Sequence, residues 1–379
     1  MATEQFETVI VGGGQAGLST GYHLAKLGRT FVILDASPRI GDSWRTRWDS
    51  LRVYTPARYS GLPGWRFPAP RASYPTKDGV ADYLEAYAAR FDLPVRSGVE
   101  VDRLVREGDR FVVVSGDRRF EAENVVVATG SYHGPRVPDF ASEVDPGILQ
   151  LTSTEYRNPA QLRAGGVLVV GAGNSGAEIA LDVSRTHATW LSGRHPGSEP
   201  TRAGSVPDRL LMPLFWFLIS RVLTVNTRIG RWFRPKFLGM AAPLARVKTK
   251  DLDAAGVERV PRTSGVQEGL PSLEDGSVLD VTNVIWCTGF RADFGWIDLP
   301  VFGEDGEPLQ DRGVVVGEPG LYFVGRPFQF AFTSSLVGGV GRDAEHVAKH
   351  IVSPERSARP AARELRAARP LTGEGISRP

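Results

Sequence analysis

The stretch Val9-Ile10-Val11-Gly12-Gly13-Gly14-Gln15-Ala16-Gly17 decides the fold. A β-branched apolar run ends in Gly12-x-Gly14-x-x-Gly17, and an apolar-periodic segment follows. That pattern predicts strand, tight glycine turn and helix. Gly12 permits the turn, Gly14 lets a pyrophosphate approach the backbone, and Gly17 lets helix and strand pack closely. Gln15 and Ala16 lie within the same turn, where free amides and the positive end of the helix suit phosphates. Gly28 closes the helix, and the strand Phe31 to Leu34 ends at Asp35, whose carboxylate can accept hydrogen bonds from a ribose.

The pattern then repeats. Gly166 to Val170 leads into Gly171-Ala172-Gly173-Asn174-Ser175-Gly176, a helical run from Ala177 to Val183 and a strand from Ala188 to Leu191. Two such units in one chain are far more specific than one. The second ends differently, in Ser192-Gly193-Arg194 with no acid. An arginine in place of the ribose-binding carboxylate suits a 2′-phosphate, and Ser192 is expected to hydrogen-bond the same group. The coenzyme expected here is NADP rather than NAD.

Between the two units, Gly41-Asp42-Ser43-Trp44-Arg45 and Trp48 to Pro56 form a long aromatic loop, with Tyr54 in it. Loops in that position usually carry function. Asp78 to Phe91 reads as a helix; Val99 to Val101 and Phe111 to Val114 read as strands. Asn124 to Val127 is a buried strand that ends in the small-residue turn Ala128-Thr129-Gly130, and its apolar run suits a parallel sheet covered on both faces. A similar strand and turn, Val281 to Gly289, follows the second unit, with Cys287 read as a small packing residue and not a nucleophile. Leu321 to Gly325 is a further strand. A loop carrying Phe328, Phe330 and Phe332 comes next, then a helix that opens near Ser335 and places Val340, Ala344, Val347 and Ile351 on one face. The tail from residue 353 to 379, rich in Arg, Ala and Pro, is expected to be mobile.

The chain has 379 residues, 41% of them hydrophobic, enough for two domains. A formal net charge of +2 argues for neither nucleic acid nor a charged membrane partner. Cys287 is the only cysteine, so an intramolecular disulfide is impossible. A reducing cytoplasm is the expected compartment, with no signal peptide in the opening residues. The run Leu210 to Ile219 is too short to span a bilayer, which takes roughly 20 residues. It is expected to be a buried or cleft-lining helix. The alternative is a weak peripheral membrane contact over residues 210–234, because Arg221, Arg228, Arg231 and Arg234 follow it. His346 and His350 stand four apart on a helix without a third ligand, so no metal site is expected.

On both fingerprints and their turns, the chain resembles the class B flavin-dependent monooxygenases, of the flavin-containing-monooxygenase and YUCCA type, over about residues 5 to 352. The resemblance implies an α/β fold with two Rossmann-like dinucleotide-binding domains. An FAD domain (1–157 and 291–352) would carry an inserted NADPH domain (158–290). It implies FAD on Gly12, Gly14, Gln15, Ala16, Gly17 and Asp35, and along Gly41, Ser43, Trp44 and Arg45. Val101, Ala128, Thr129, Gly130 and Gly325 complete that site. NADPH would lie on Gly171, Gly173, Asn174, Ser175, Gly176, Ser192 and Arg194, with the turn Cys287-Thr288-Gly289. The implied cycle reduces FAD with NADPH, forms a C4a-(hydro)peroxyflavin with O2 and transfers one oxygen atom to a small apolar substrate, suggested by the aromatics near Trp216 and Phe328. The cofactors carry that chemistry, so a missing side-chain acid or base is no objection.

The family signature FxGxxxHxxxY/F is altered here. In Pro146-Gly147-Ile148-Leu149-Gln150-Leu151-Thr152-Ser153-Thr154-Glu155-Tyr156, Thr152 stands where the family has histidine, and Tyr156 matches the final aromatic. Thr152, Tyr156 and the loop residue Tyr54 are the catalytic candidates. Two alternatives stay open, an NADPH oxidase that releases peroxide and a redox-responsive flavoprotein that does not oxygenate. A dithiol reductase with the same two domains needs a cysteine pair that one cysteine cannot supply.

Overall fold

The computed structural model describes residues 2–353 apart from 133, 199, 200, 202 and 239–241. In chain order it contains β1 (Ala2–Val11), α1 (Gln15–Lys26), β2 (Phe31–Asp35), the single turn α2 (Asp42–Arg45), α3 (Lys77–Arg90), β3 (Val95–Ser97), β4 (Arg103–Glu107), β5 (Arg110–Ser115) and β6 (Arg118–Val127). There follow β7 (Gly134–Pro135), β8 (Leu149–Thr152), β9 (Val167–Val170), α4 (Asn174–Val183), β10 (Thr189–Ser192), α5 (Val206–Phe217), α6 (Arg228–Leu238), α7 (Thr249–Ala254), β11 (Glu258–Val260), β12 (Thr263–Gln267), β13 (Leu270–Leu273) and β14 (Asn283–Trp286). The chain returns through β15 (Phe290–Arg291), β16 (Gln310–Asp311), β17 (Val314–Val315) and β18 (Leu321–Phe323) to α8 (Gly341–Val352).

Among the described residues the first sheet has nine strands, in the order β16-β17-β18-β6-β1-β2-β3, with the β4–β5 hairpin attached to β6. β6 is ten residues long and forks. Its first half pairs antiparallel with β5, and Val125 to Val127 pair parallel with Leu321 to Phe323. The closing strand is thereby fixed two places from the first fingerprint, since β1 lies on the other side of β6. One face of this sheet packs against α1, α3 and α8 through Leu18, Leu24, Leu84, Tyr87, Val347 and Ile351. The other face buries Val9, Val11, Val32 and Leu34 with Phe111, Phe294 and Phe323. Each such side chain contributes roughly 1.5–3 kcal/mol of burial.

The second sheet is all parallel, in the order β11-β10-β9-β14-β8. All four residues of β9 are buried, as a strand covered on both faces requires. Both sheets are parallel at their centres and carry their glycine turns at the carboxyl ends of β1 and β9. The fold is therefore α/β with two Rossmann-like units.

Four expectations differ from what is observed. β8 pairs with β14, so the second sheet starts before residue 158; the chain crosses between the sheets in a two-strand ribbon, Gly134–Pro135 against Phe290–Arg291. Val99 to Val101 form no strand: the strand is Val95–Ser97, and Gly98 at φ +69° turns the chain out of the ladder. The last helix opens at Gly341, because the glycines before it press on other backbone. A Cβ on Gly338 would meet the Tyr59 carbonyl at 1.8 Å, and one on Gly339 the Thr333 carbonyl at 1.9 Å. Finally, the apolar run from Leu210 is covered on one face only: Met212 and Ile219 are buried and Trp216 lines a cavity, but Leu210, Leu211 and Leu214 are exposed on α5. The expected mobile tail falls on residues 354–379, outside the described residues, except for Ser353.

Candidate functional site

The two fingerprints are built alike. Gly12 sits at φ +110°, and a Cβ there would lie 2.6 Å from the Ala128 carbonyl; Gly171 sits at φ +111°, 2.3 Å from the Cys287 carbonyl by the same measure. A Cβ on Gly17 would lie 1.9 Å from the Gly12 carbonyl, and one on Gly176 1.8 Å from that of Gly171. These four glycines are demanded by the chain's own close packing.

Gly14 and Gly173 are not. Their backbones (φ −79°, ψ −169° and φ −75°, ψ −174°) are open to any residue. A Cβ on either meets nothing within 4 Å. Both are the N-caps of their helices, and neither helix end has a side-chain cap or an acid in its first turn. By contrast α3 is capped by the Thr76 hydroxyl, which accepts from the Gly79 amide at 3.1 Å, and α5 by Ser205. Uncapped amides facing open space at the positive end of a helix fit an anionic group supplied from outside the chain, such as a dinucleotide pyrophosphate. The residues present thus fit two dinucleotides.

Around the first turn, Asp35 accepts from the Gly13 amide at 2.5 Å and from the Ser37 amide at 2.8 Å, which fixes its carboxylate beside the turn. The turn Ala128-Thr129-Gly130 follows β6, with the Ala128 amide donating to the Val11 carbonyl at 2.8 Å. Gly325, at φ +90°, comes within 2.9 Å of the Ala16 Cβ by its own virtual Cβ, so the closing segment lies against the start of α1. Val101 is half-buried at the edge of the core beneath β2. Gly41, at φ +89°, lies against the Ala81 backbone, and Ser43 is exposed. Arg45 differs from expectation. Its guanidinium is taken up by Asp42, Asp82 and Glu85 at 3.0–3.2 Å and by the Ile40 carbonyl, so it ties this segment to α3.

Around the second turn two side chains are also committed elsewhere. Ser192 is fully buried, donates to the Pro261 carbonyl at 2.9 Å and accepts from the Thr263 amide at 2.8 Å. It closes the end of β10 and is not offered to a 2′-phosphate. The Asn174 amide donates to the Pro243 carbonyl at 3.0 Å and accepts from the Ala245 amide at 2.9 Å, so it holds residues 243–245 against α4. Ser175 is half-buried in the first turn of α4. Arg194 is exposed just past the carboxyl end of β10 and, among the described residues, has no ion-pair partner. The Thr288 hydroxyl donates to the Arg136 carbonyl, and the Arg136 amide to the Gly289 carbonyl at 2.9 Å, which locks the crossing. Burial pushes the Cys287 thiol up to about 12, which leaves no thiolate, as a packing residue requires.

The three catalytic candidates separate. Tyr156 is a core residue: it is fully buried among Val167, Ala177 and Leu191, and its hydroxyl donates to Asp182 on α4 at 3.0 Å. Thr152 closes the turn after β8; its hydroxyl meets Glu155 and Thr154, both at 2.8 Å, and its carbonyl accepts from the Tyr156 amide. That commitment is local, so Thr152 does not act as a presented donor. The aromatics near the expected substrate divide too. Phe328 is fully buried, packed by Phe237, while Trp216 stacks on Tyr59 at 4.7 Å beside a cavity of about 390 Å³.

Tyr54 is half-buried, and burial, with the Glu178 charge nearby, holds its phenol well above the usual range, so it stays protonated. It belongs to a group that sequence reasoning missed. Glu178 on α4 is buried, with both carboxylate oxygens 3.3 Å from one Arg246 nitrogen. Burial pushes its carboxyl up to about 7, and Arg246 pulls against that. An acid inside the apolar run Ala177 to Val183 was the only signal; its partner lies 68 residues on. Trp48 and Leu51, from the loop after the first fingerprint, are buried in the core around α4, and Trp44 touches the cores of both sheets. The aromatic loop therefore joins the two dinucleotide units, where a nicotinamide and a flavin would have to meet.

The family model for the pyridine nucleotide-disulphide oxidoreductases matches residues 9–206. The chain belongs to that family. It is 38% identical to an oxidoreductase called CzcO-like from Geobacillus kaustophilus, across 92% of this chain and 98% of that one. It is 37% identical to the indole-3-pyruvate monooxygenase YUCCA1 of rice, across 90% of each. The flavin-containing monooxygenase of Stenotrophomonas maltophilia has a similar structure, with a TM-score of 0.74 at 28% identity over 93% of this chain and 99% of that one. Within its family the chain is thus a class B flavin-dependent monooxygenase, an oxidoreductase working with FAD and a nicotinamide dinucleotide. Its family is named for disulphides, but one cysteine leaves no dithiol for that exchange.

Proposed function

We propose that the chain uses NADPH and FAD to insert one atom of O2 into a small, largely apolar organic substrate. The observation that carries this reading is the pair of uncapped fingerprint helices, α1 and α4, whose glycines 14 and 173 open onto free space. In it, the first sheet with α8 holds FAD on Gly12, Gly14, Gly17, Asp35 and Gly325. The second sheet holds NADPH on Gly171, Gly173 and Gly176, with Arg194 at the 2′-phosphate. When bound, the flavin accepts hydride and activates O2. The chain supplies placement, and Trp44, Trp48 and Leu51 close the junction to water.

Arg194 presents a fork of donors to a phosphate. Arg194→Ala is expected to weaken NADPH more than NADH by about 1.5–3 kcal/mol, or roughly tenfold to a hundredfold. Because the arginine is exposed, the lower end is expected. Flavin-reduction rates at varied coenzyme measure it, and equal loss for both coenzymes would count against the assignment.

One observation favours a second reading, an NADPH oxidase. Thr152 stands in the altered signature, and its hydroxyl is spent on its own turn. Peroxide released per NADPH consumed separates the two. Release that falls when a substrate is added supports oxygenation; stoichiometric release with every substrate supports the oxidase.

A further inference from the structure

Helices α5 and α6 carry their apolar side chains outward. On α5 the inward stripe is Asp208, Met212 and Trp216, spaced as one helix face. The rest faces solvent: Val206, Leu210, Leu211, Leu214, Phe215 and Phe217 are between 41% and 73% exposed. On α6 the inward stripe is Gly230, Phe233 and Phe237, with Phe237 packed on Phe332 at 4.6 Å. Ile229, Trp232 and Leu238 are left at 52% or more. An isolated exposed leucine is ordinary, but such residues on consecutive helices mark an interaction surface.

Charge selects the partner. From Arg209 to Lys250 the sequence contains no Asp or Glu. Arg209, Arg221, Arg228, Arg231 and Lys236 are exposed among the apolar side chains. A solvated helix face would mix both signs, and a second copy would bring the same cations against these. A nucleic acid would leave the leucines without a partner. An amphipathic, basic helix pair with tryptophan at its edge fits an anionic lipid surface, where apolar groups enter the acyl boundary and arginines meet phosphates. The Lys236 ammonium sits 3.5 Å over the Trp232 ring, a cation and an aromatic at one depth. Neither helix crosses: among the described residues no helix is long and apolar enough.

We propose that α5 and α6 dock the protein on a bilayer rich in anionic lipid, lying along its headgroup plane. The test is sedimentation of the full chain with phosphatidylglycerol-containing vesicles and with phosphatidylcholine vesicles, at low and high salt. The wild type is expected to pellet with the anionic vesicles, less at high salt and least with phosphatidylcholine. Leu210→Ser/Leu214→Ser/Trp232→Ser and Arg209→Glu/Arg228→Glu are each expected to lower the partition coefficient at least about tenfold. All five positions are exposed, so melting temperatures should hold; if one variant misfolds, the other decides. A wild type that stays in the supernatant with every vesicle overturns the proposal. So does a concentration-dependent dimer that these same substitutions dissociate, since a second copy would then cover the surface.

Discussion

Gly14→Val is expected to fold and to purify without flavin. Position 14 has a backbone that valine can adopt, and its side chain would project into space that no protein atom occupies. Nothing in the chain's own packing asks for glycine there. The side chain would instead take the place of the pyrophosphate on the α1 amides. The variant should match apo wild type in melting temperature and circular dichroism and fail to take up FAD on reconstitution. Gly17→Ala should behave differently. Its Cβ would lie 1.9 Å from the Gly12 carbonyl, so helix and strand must part, and the chain should lose stability with or without cofactor. If Gly14→Val retains FAD at wild-type affinity, the open space in front of α1 is not the FAD site.

Arg246→Ala is expected to destabilise the protein little up to about pH 7 and increasingly above it, by at most about 1.4 kcal/mol per pH unit, because without the guanidinium the buried Glu178 carboxyl must stay protonated. Arg246 is about a fifth exposed and water reaches the gap, so the slope is expected to be shallower than that limit. The effect carries a pH signature. The Glu178 carboxyl sits at about 7 in the fold, against an ordinary value of 4.5. A raised acid favours the folded state while it is protonated; that stability is present below the ordinary value and lost as pH rises through the folded one. Removing Arg246 takes away the main pull on the carboxyl and leaves only the weaker pull of Trp48 against burial, so the loss grows. Thermal melts should show a small deficit at about pH 5 and a larger one, on the order of 1 kcal/mol, at about pH 8. Glu178→Gln/Arg246→Ala should recover much of it at the higher pH. A deficit of equal size at both pH values would show that Arg246 acts through packing alone.

Much of this architecture was legible because its signals are local. Gly12, Gly17, Gly171 and Gly176 each answer to a contact within a few residues of the turn or with the strand beside it, and the apolar runs of β1, β6, β9 and β14 announce buried parallel strands. What was missed depends on partners far along the chain. β8 is four residues, Leu-Gln-Leu-Thr, and becomes a strand of the second sheet only because β14, more than a hundred residues later, lies beside it. Ser192 occupies the position of a phosphate ligand, but Pro261 and Thr263 claim it from a strand not yet read. Tyr156 matched a signature, yet its phenol answers to Asp182 within the core. Arg45 looked like a cofactor contact until the acids of α3 were seen around it. The run from Leu210 shows a different limit: composition said apolar, which ordinarily means buried, and only the packing of α5 shows which face is covered.

The chemistry assigned to these two sites stands on oxygen transfer. The most direct measurement is turnover of the FAD-loaded chain with NADPH and isotopically labelled O2 across ketones, amines, thioethers and indole-type acids. Product mass and peroxide would be scored against NADPH consumed. The account predicts at least one substrate that gains a single labelled oxygen atom for nearly every NADPH oxidised, with peroxide falling to match. Labelled peroxide in stoichiometric yield, and no labelled product from any substrate that the protein binds, would contradict it.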